Sequence, residues 1–157
     1  MSETSKATEY TIHADGACKG NPGLGGWGAL IDYPGAARIC LNGFAADTTN
    51  NRMELSGLIA GIANIPEGSR AEVITDSQYA QKGMTEWIAG WKRKGWRTSA
   101  GQPVKNQDLW MALDAACSAR KLRWTWVKGH SGHPGNERAD ELANEAIAAR
   151  RSTHPNG

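Results

Sequence analysis

Cysteine is scarce: the chain has three in 157 residues, Cys18, Cys40 and Cys117, with no C-x-x-C spacing. Their odd number and separation exclude a disulfide framework and a cysteine-based zinc or redox pair, so they read as the reduced thiols of a cytoplasmic protein. Long apolar runs are missing as well. No segment approaches the roughly 18 apolar residues of a membrane-spanning helix. The polar start, MSETSKATE, lacks the apolar stretch of a secretory signal. Internal repeats and low-complexity tracts are absent, and no linker divides the chain. A single domain over 1–157 is expected, with flexible ends at 1–8 and 151–157. A chain of that length buries roughly two-thirds of its unfolded surface without metal or disulfide staples.

Strong net charge is also lacking, at +2 overall. Its distribution is uneven: between residues 82 and 105, Lys82, Lys92, Arg93, Lys94, Arg97 and Lys105 face only Glu86. The pattern describes a basic protrusion on a mildly acidic body.

Tyr10, Ile12 and Ala14 alternate with Thr11, His13 and Asp15 at the period of a strand. The glycine-rich GACKGNPGLGG marks a turn, and strands over 27–33 and 38–45, joined by PGA, form a hairpin. From Met53 the period changes, with Leu55, Leu58, Ile59 and Ile62 on one helix face. AEVITDS, at 71–77, reads as a buried parallel strand, with Ser77 the N-cap of the next helix. Short helices follow in TEWIAGWKRKGW and VKNQDLWMALDAACSA, then an alternating strand over 122–129. The last helix, from Glu137 to Arg150, puts Ala139, Leu142, Ala143, Ala146 and Ile147 on one face. Strands separated by helices imply parallel crossovers, whereas the opening hairpin is antiparallel. The expected fold is α/β: a mixed five-stranded sheet in βββαβαβα order, with extra short helices in the basic protrusion.

Asp15 closes the first strand and Asp76 the fourth, and strand ends are where α/β sheets bind ligands. If these strands are parallel neighbours, the carboxylates lie within roughly 5 Å, one strand spacing. Each then raises the other's pKa unless a cation sits between them. Glu54 opens the first long helix, and Asp140 lies near the start of the last. Singly, each acid has a plainer explanation, because aspartates close turns and first-turn glutamates answer the helix dipole. Four acids at the ends of four elements instead suggest a shared ion. Carboxylate oxygens suit Mg²⁺ or Mn²⁺, whereas zinc prefers His or Cys.

DGACKGNPGLGGWG, TTNNRMEL, TDSQY and WVKGHSGHPGNERADELA follow one another between about Tyr10 and Ala149. As a set they resemble the bacterial type I ribonuclease H family, with its ribonuclease H-like fold. The resemblance implies a cytoplasmic endonuclease, a phosphodiester hydrolase that cuts the RNA strand of an RNA–DNA hybrid and leaves 5′-phosphate and 3′-hydroxyl ends. It implies Asp15, Glu54, Asp76 and Asp140 as ligands of two Mg²⁺ ions, with Mn²⁺ as a substitute, and His130 as a mobile catalytic histidine. A monomer without membrane contact is expected. The presence of all four acids argues against a catalytically silent hybrid-binding module.

By the same resemblance, Cys18, Asn21, Asn50 and Gln78 contact the substrate, with Asn50 and Asn51 at the minor groove. Thr49, Asn51 and Asn106 hold a phosphate of the DNA strand, Trp87 meets a deoxyribose, and Lys92, Arg93 and Lys94 grip the DNA backbone. Without the resemblance, Asn106 reads as a helix cap, and Trp87, Ile88 and Trp91 as a small satellite core. Trp110, Trp124 and Trp126 read as core. Gly135 stands where relatives often carry a larger side chain, which would loosen the loop bearing His130.

Overall fold

The computed structural model describes residues 9–128 and 133–151. Strands β1 (Tyr10–Lys19), β2 (Gly23–Asp32) and β3 (Ile39–Thr48) form an antiparallel meander, which helix α1 (Asn50–Ala63) follows. Strands β4 (Arg70–Thr75) and β5 (Lys121–Trp126) then add in parallel, giving the order β3-β2-β1-β4-β5. Between β4 and β5 run α2 (Gln78–Lys82), a π-helical turn (Gly83–Trp87), α3 (Ile88–Arg93) and α4 (Gln107–Ser118); α5 (Pro134–Ala149) comes last. This is the mixed five-stranded sheet that the alternation of strand and helix patterns implies.

The glycine-rich segment is mostly strand. β1 continues past Asp15 to Lys19, and Gly25, Gly26 and Gly28 pair with Cys18, Ala17 and Asp15, which confines the turn to residues 20–22. Glycine in a strand often marks the close approach of another backbone, and β2 is such a case. A Cβ at Gly26 would run into the Ala143 carbonyl oxygen, and one at Gly28 into that of Ala139, both on α5.

Two helices begin earlier than their apolar periodicity suggests. Helix α1 starts at Asn50, ahead of Met53, because the Thr49 hydroxyl caps it, accepting from the Arg52 backbone at 3.3 Å. Helix α5 starts at Pro134 rather than Glu137; proline lacks an N–H, but in a first turn none is needed. The basic arm is helical from Gln78, behind the Ser77 N-cap that the sequence indicates, and continues without a break through the stretch from Thr85 where a second helix is expected; Gly83 on it packs against the Trp110 ring.

Pleat alternation places the two long helices on opposite faces of the sheet. Ile12 faces Gly61 of α1, whereas its neighbour His13 faces Gly135 of α5. Ile12, Ile31, Leu55, Leu58, Ile62, Val73, Trp110 and Leu113 fill the α1 side. Ala139, Leu142, Ala143, Ala146 and Ile147, the expected α5 face, are all buried. Of the three tryptophans assigned to the core, Trp110 is fully buried, whereas Trp124 and Trp126 are half-buried on the edge strand. Those two stack with ring centres 5.0 Å apart.

Candidate active site

Asp15 lies mid-strand and is 6% exposed, which removes the turn reading. Strands β1 and β4 pair from Tyr10↔Ala71 to His13↔Ile74, and the same register carried forward sets Asp15 opposite Asp76, just past the end of β4. Glu54 is in the second turn of α1, beyond the first turn where a carboxylate answers the helix dipole. What brings it to β1 is Gly16. A Cβ there would stand 2.5 Å from the Glu54 backbone nitrogen and 2.6 Å from the Met53 carbonyl carbon, so only glycine lets α1 lie so close. Gly28 does the same for the stretch of α5 that carries Asp140.

The electrostatics follow from this convergence. The Asp15 carboxyl is pushed up to about 8, first by burial and then by Asp76, with Asp140 and Glu54 adding, against one backbone hydrogen bond from Gly16. Oδ1 accepts that bond at 2.8 Å, while Oδ2 is buried with no hydrogen-bond partner among the described residues. Glu54 is also raised, chiefly by burial, with Asp76 adding and hydrogen bonds from Ser77 and Asn50 opposing. Ser77 donates to Glu54 Oε1 at 2.8 Å and Asn50 to Oε2 at 3.4 Å. Asp140 Oδ1 accepts from Asn144 Nδ2 at 3.3 Å, and Asn144 Oδ1 accepts from Lys19 Nζ at 3.0 Å.

A buried carboxylate oxygen without a donor, surrounded by other anions, fits a hard divalent cation. Among the described residues, no three or more His, Cys, Asp or Glu side chains are placed to hold one ion in their observed positions. Glu54 and Asp140 are engaged by Ser77, Asn50 and Asn144 instead. The fit lies in the chemistry of the donor set, all carboxylate oxygens, rather than in the observed side-chain positions.

Around the acids, the β1–β2 turn meets the start of α1. The Asn21 side-chain Oδ1 accepts from the Asn50 backbone N–H at 3.1 Å, and the Cys18 thiol points to the Thr48 carbonyl at 3.4 Å. Gln78 opens α2 beside Asp76, in a cleft shared with Trp126 and Lys128. Asn106 does hold the N-cap position of α4, but it makes no side-chain cap bond, and its side chain reaches Arg52 and Tyr79 instead. That link brings it to the helix bearing Thr49 and Asn51. Trp87 packs on Tyr79 and Trp91, at 5.9 and 5.7 Å between ring centres, so a satellite core does exist there. Lys92, Arg93 and Lys94 are exposed, with Lys92 3.3 Å from Asp114. His130 lies outside the described residues. Gly135 seats the His13 imidazole, whose ring occupies the space a larger side chain would need.

The family model described as RNase H matches residues 7–148. The chain belongs to the ribonuclease H family. It is 53% identical over 140 residues to the Ribonuclease HI of Pseudomonas aeruginosa, which covers 89% of this chain and 94% of that one. It is similar to the crystal structure of LC9-RNase H1, a type 1 RNase H with the type 2 active-site motif. There the identity is 34% and the TM-score 0.81, over 93% of this chain and 75% of the other. LC11-RNase H1, solved in complex with an RNA/DNA hybrid, shares the fold at a TM-score of 0.68 and 22% identity, over 90% and 99% of the two chains. The fold is thus the ribonuclease H fold, and the chain is a nuclease of the bacterial type I group.

Several supports of this ribonuclease H site carry no sequence signal of their own. Ser77 is legible as an N-cap, and it does accept from the Ala80 backbone at 3.0 Å, but nothing local announces its second bond to Glu54. Arg52 and Tyr79 act on partners brought near only by folding, and Asn144 joins Asp140, one helical turn away, to the distant Lys19. Gly16 sits in a stretch whose glycines look alike.

Proposed function

We propose that the chain hydrolyses the RNA strand of RNA–DNA hybrids endonucleolytically, leaving 5′-phosphate and 3′-hydroxyl ends, as a cytoplasmic monomer. The observation that carries this reading is the buried, donorless Oδ2 of Asp15 in the field of Asp76, Asp140 and Glu54. Asp15, Glu54, Asp76 and Asp140 would hold two Mg²⁺ ions, or Mn²⁺ in their place. Bound there, the ions supply an activated water and neutralise charge on the departing oxygen.

The remaining work falls to the chain's own residues. Ser77 and Asn50 orient Glu54. Cys18, Asn21, Asn50, Asn51 and Gln78 line the rim where a minor groove would present the 2′-hydroxyls that distinguish RNA from DNA. Thr49, Asn51 and Asn106 take a phosphate of the DNA strand, and Trp87 a deoxyribose. As the water oxygen bonds to phosphorus it gives up a proton, and as the P–O3′ bond breaks the 3′ oxygen takes one up. His130, with an imidazole pKa ordinarily near neutrality, is assigned to proton transfer. The hybrid bound by LC11-RNase H1 supports the substrate class.

The deciding experiment compares matched RNA–DNA, double-stranded RNA and double-stranded DNA, each with Mg²⁺ and with chelator. Cleavage confined to the hybrid and abolished by chelation is the expected result; cutting of double-stranded DNA would refute the assignment. A second measurement addresses the arm. Replacing Lys92, Arg93 and Lys94 with alanine weakens hybrid binding and flattens its salt dependence by about one unit of slope per lost phosphate contact. An unchanged slope assigns the arm to another partner.

A further inference from the structure

An asparagine preceding a helix ordinarily caps it with its own side chain. Asn106 instead adopts φ 60° and ψ 30°, and its side chain makes no cap bond. Asparagine enters the left-handed region more readily than other residues with a Cβ, so the conformation is open to it, and its side-chain partners decide whether it is kept. The surroundings here are specific. Arg52 Nη1 donates to the Asn106 carbonyl oxygen at 3.2 Å, and Asn106 Nδ2 donates to the Tyr79 hydroxyl at 3.0 Å. Arg52 is itself held by Asp108, Nη1 to Oδ1 at 3.0 Å and Nη2 to Oδ2 at 2.8 Å. The Tyr79 oxygen accepts a second bond, at 3.0 Å, from Nε1 of the fully buried Trp110.

This arrangement permits one orientation of the amide. Turned over, its nitrogen would face the guanidinium, donor against donor, and the bond to Arg52 would be lost. The carbonyl oxygen therefore faces Arg52, one N–H faces Tyr79, and the second N–H is left to donate outward. It does so beside the N-terminus of α1, a favourable place for an anion.

We propose that Tyr79 and Arg52 are positioning residues, which lock the Asn106 amide so that its second N–H meets a phosphodiester of the bound DNA strand. The proposal rests on the assignment of Asn106 to that phosphate, and the test separates the two. Tyr79→Phe keeps the ring against Trp87 and Trp110 and removes only the hydroxyl that anchors the amide. With hybrid substrate and Mg²⁺, KM rises about fivefold, the worth of one hydrogen bond, while kcat is unchanged. On an Asn106→Ala background the same substitution has no further effect on KM.

Arg52→Lys keeps the charge beside Asp108 but loses the planar fork. It shows the same KM effect and the same dependence on Asn106, and it serves if loss of the Trp110 partner unfolds the phenylalanine variant. Equal KM increases with and without Asn106 would overturn the positioning role, as would unchanged KM in both variants. If Asn106→Ala itself leaves KM unaltered, the phosphate assignment fails, and the clamp fails with it.

Discussion

Asp15→Asn abolishes divalent-dependent cleavage of hybrids while making the metal-free protein more stable at neutral pH. Both effects come from one feature, a carboxyl held in the fold at about 8 against an ordinary value of 3.8. Burial and like charges disfavour its ionised form. Between those two pH values the folded protein keeps a proton that the unfolded chain releases. Stability therefore falls as pH rises through the window, at about 1.4 kcal/mol per pH unit for a single fully shifted group. It levels off above about 8. Asparagine has nearly the same shape and never ionises, so the variant escapes this loss. Glu54, raised in the same direction, leaves it a residual slope.

Thermal unfolding in chelator from pH 4 to 9 reads the difference as a flatter profile and a higher melting temperature for the variant near neutrality. Added Mg²⁺ restores the wild type by binding only its folded state and has little effect on the variant. Cleavage falls about a thousandfold or more, the equivalent of the several kcal/mol an ion supplies at the transition state. A variant with the wild-type pH slope, or one that still cuts hybrids with Mg²⁺, would remove Asp15 from the centre of the site. Such a pairing is the trade of stability for function expected where charges are concentrated for use.

How far the site could be read beforehand depends on the range over which each residue acts. The α5 face and the Leu55, Leu58 and Ile62 stripe were legible because amphipathic period is a local property that packing then obeys. The register of Asp15 with Asp76 was inferable once the two strands were taken as parallel neighbours. Asn106 was not, because an asparagine before a helix looks the same whether it caps that helix or turns away from it. What decides the matter is Arg52, on a helix far back in the chain. The glycines of β2 resemble turn residues in the sequence for a similar reason. A missing Cβ serves a turn and a close helix contact equally well, and only the helix on the other side shows which applies.

Gly16→Ala shows what such a contact is worth. The added methyl would stand 2.5 Å from the Glu54 nitrogen, 2.6 Å from the Met53 carbonyl carbon and 3.0 Å from the Glu54 Cα. All three are backbone atoms, so no side chain can rotate away, and α1 has to lift from β1 or the strand has to bend. Lifting α1 disturbs Leu55, Leu58 and Ile62, which are completely buried beneath it. Overpacking costs about 1–3 kcal/mol where side chains can adjust, and the upper end of that range is expected here.

The same displacement carries Glu54 away from Asp15 and from its 2.8 Å bond to Ser77. A misplacement of about 1 Å in a catalytic group lowers the rate by roughly a hundredfold. Gly16→Ala is therefore expected to lower the melting temperature, weaken Mg²⁺ binding in calorimetry and reduce kcat together. Gly90→Ala provides the control, because the nearest atom to its added methyl is an Arg93 guanidinium nitrogen at 3.8 Å, the end of a flexible side chain. It sits in α3, where alanine is the better helix former, so its melting temperature and kcat stay at or above the wild type. If Gly16→Ala behaves like Gly90→Ala, the close seating of α1 on β1 is not what joins Glu54 to the other acids, and another contact must hold them together.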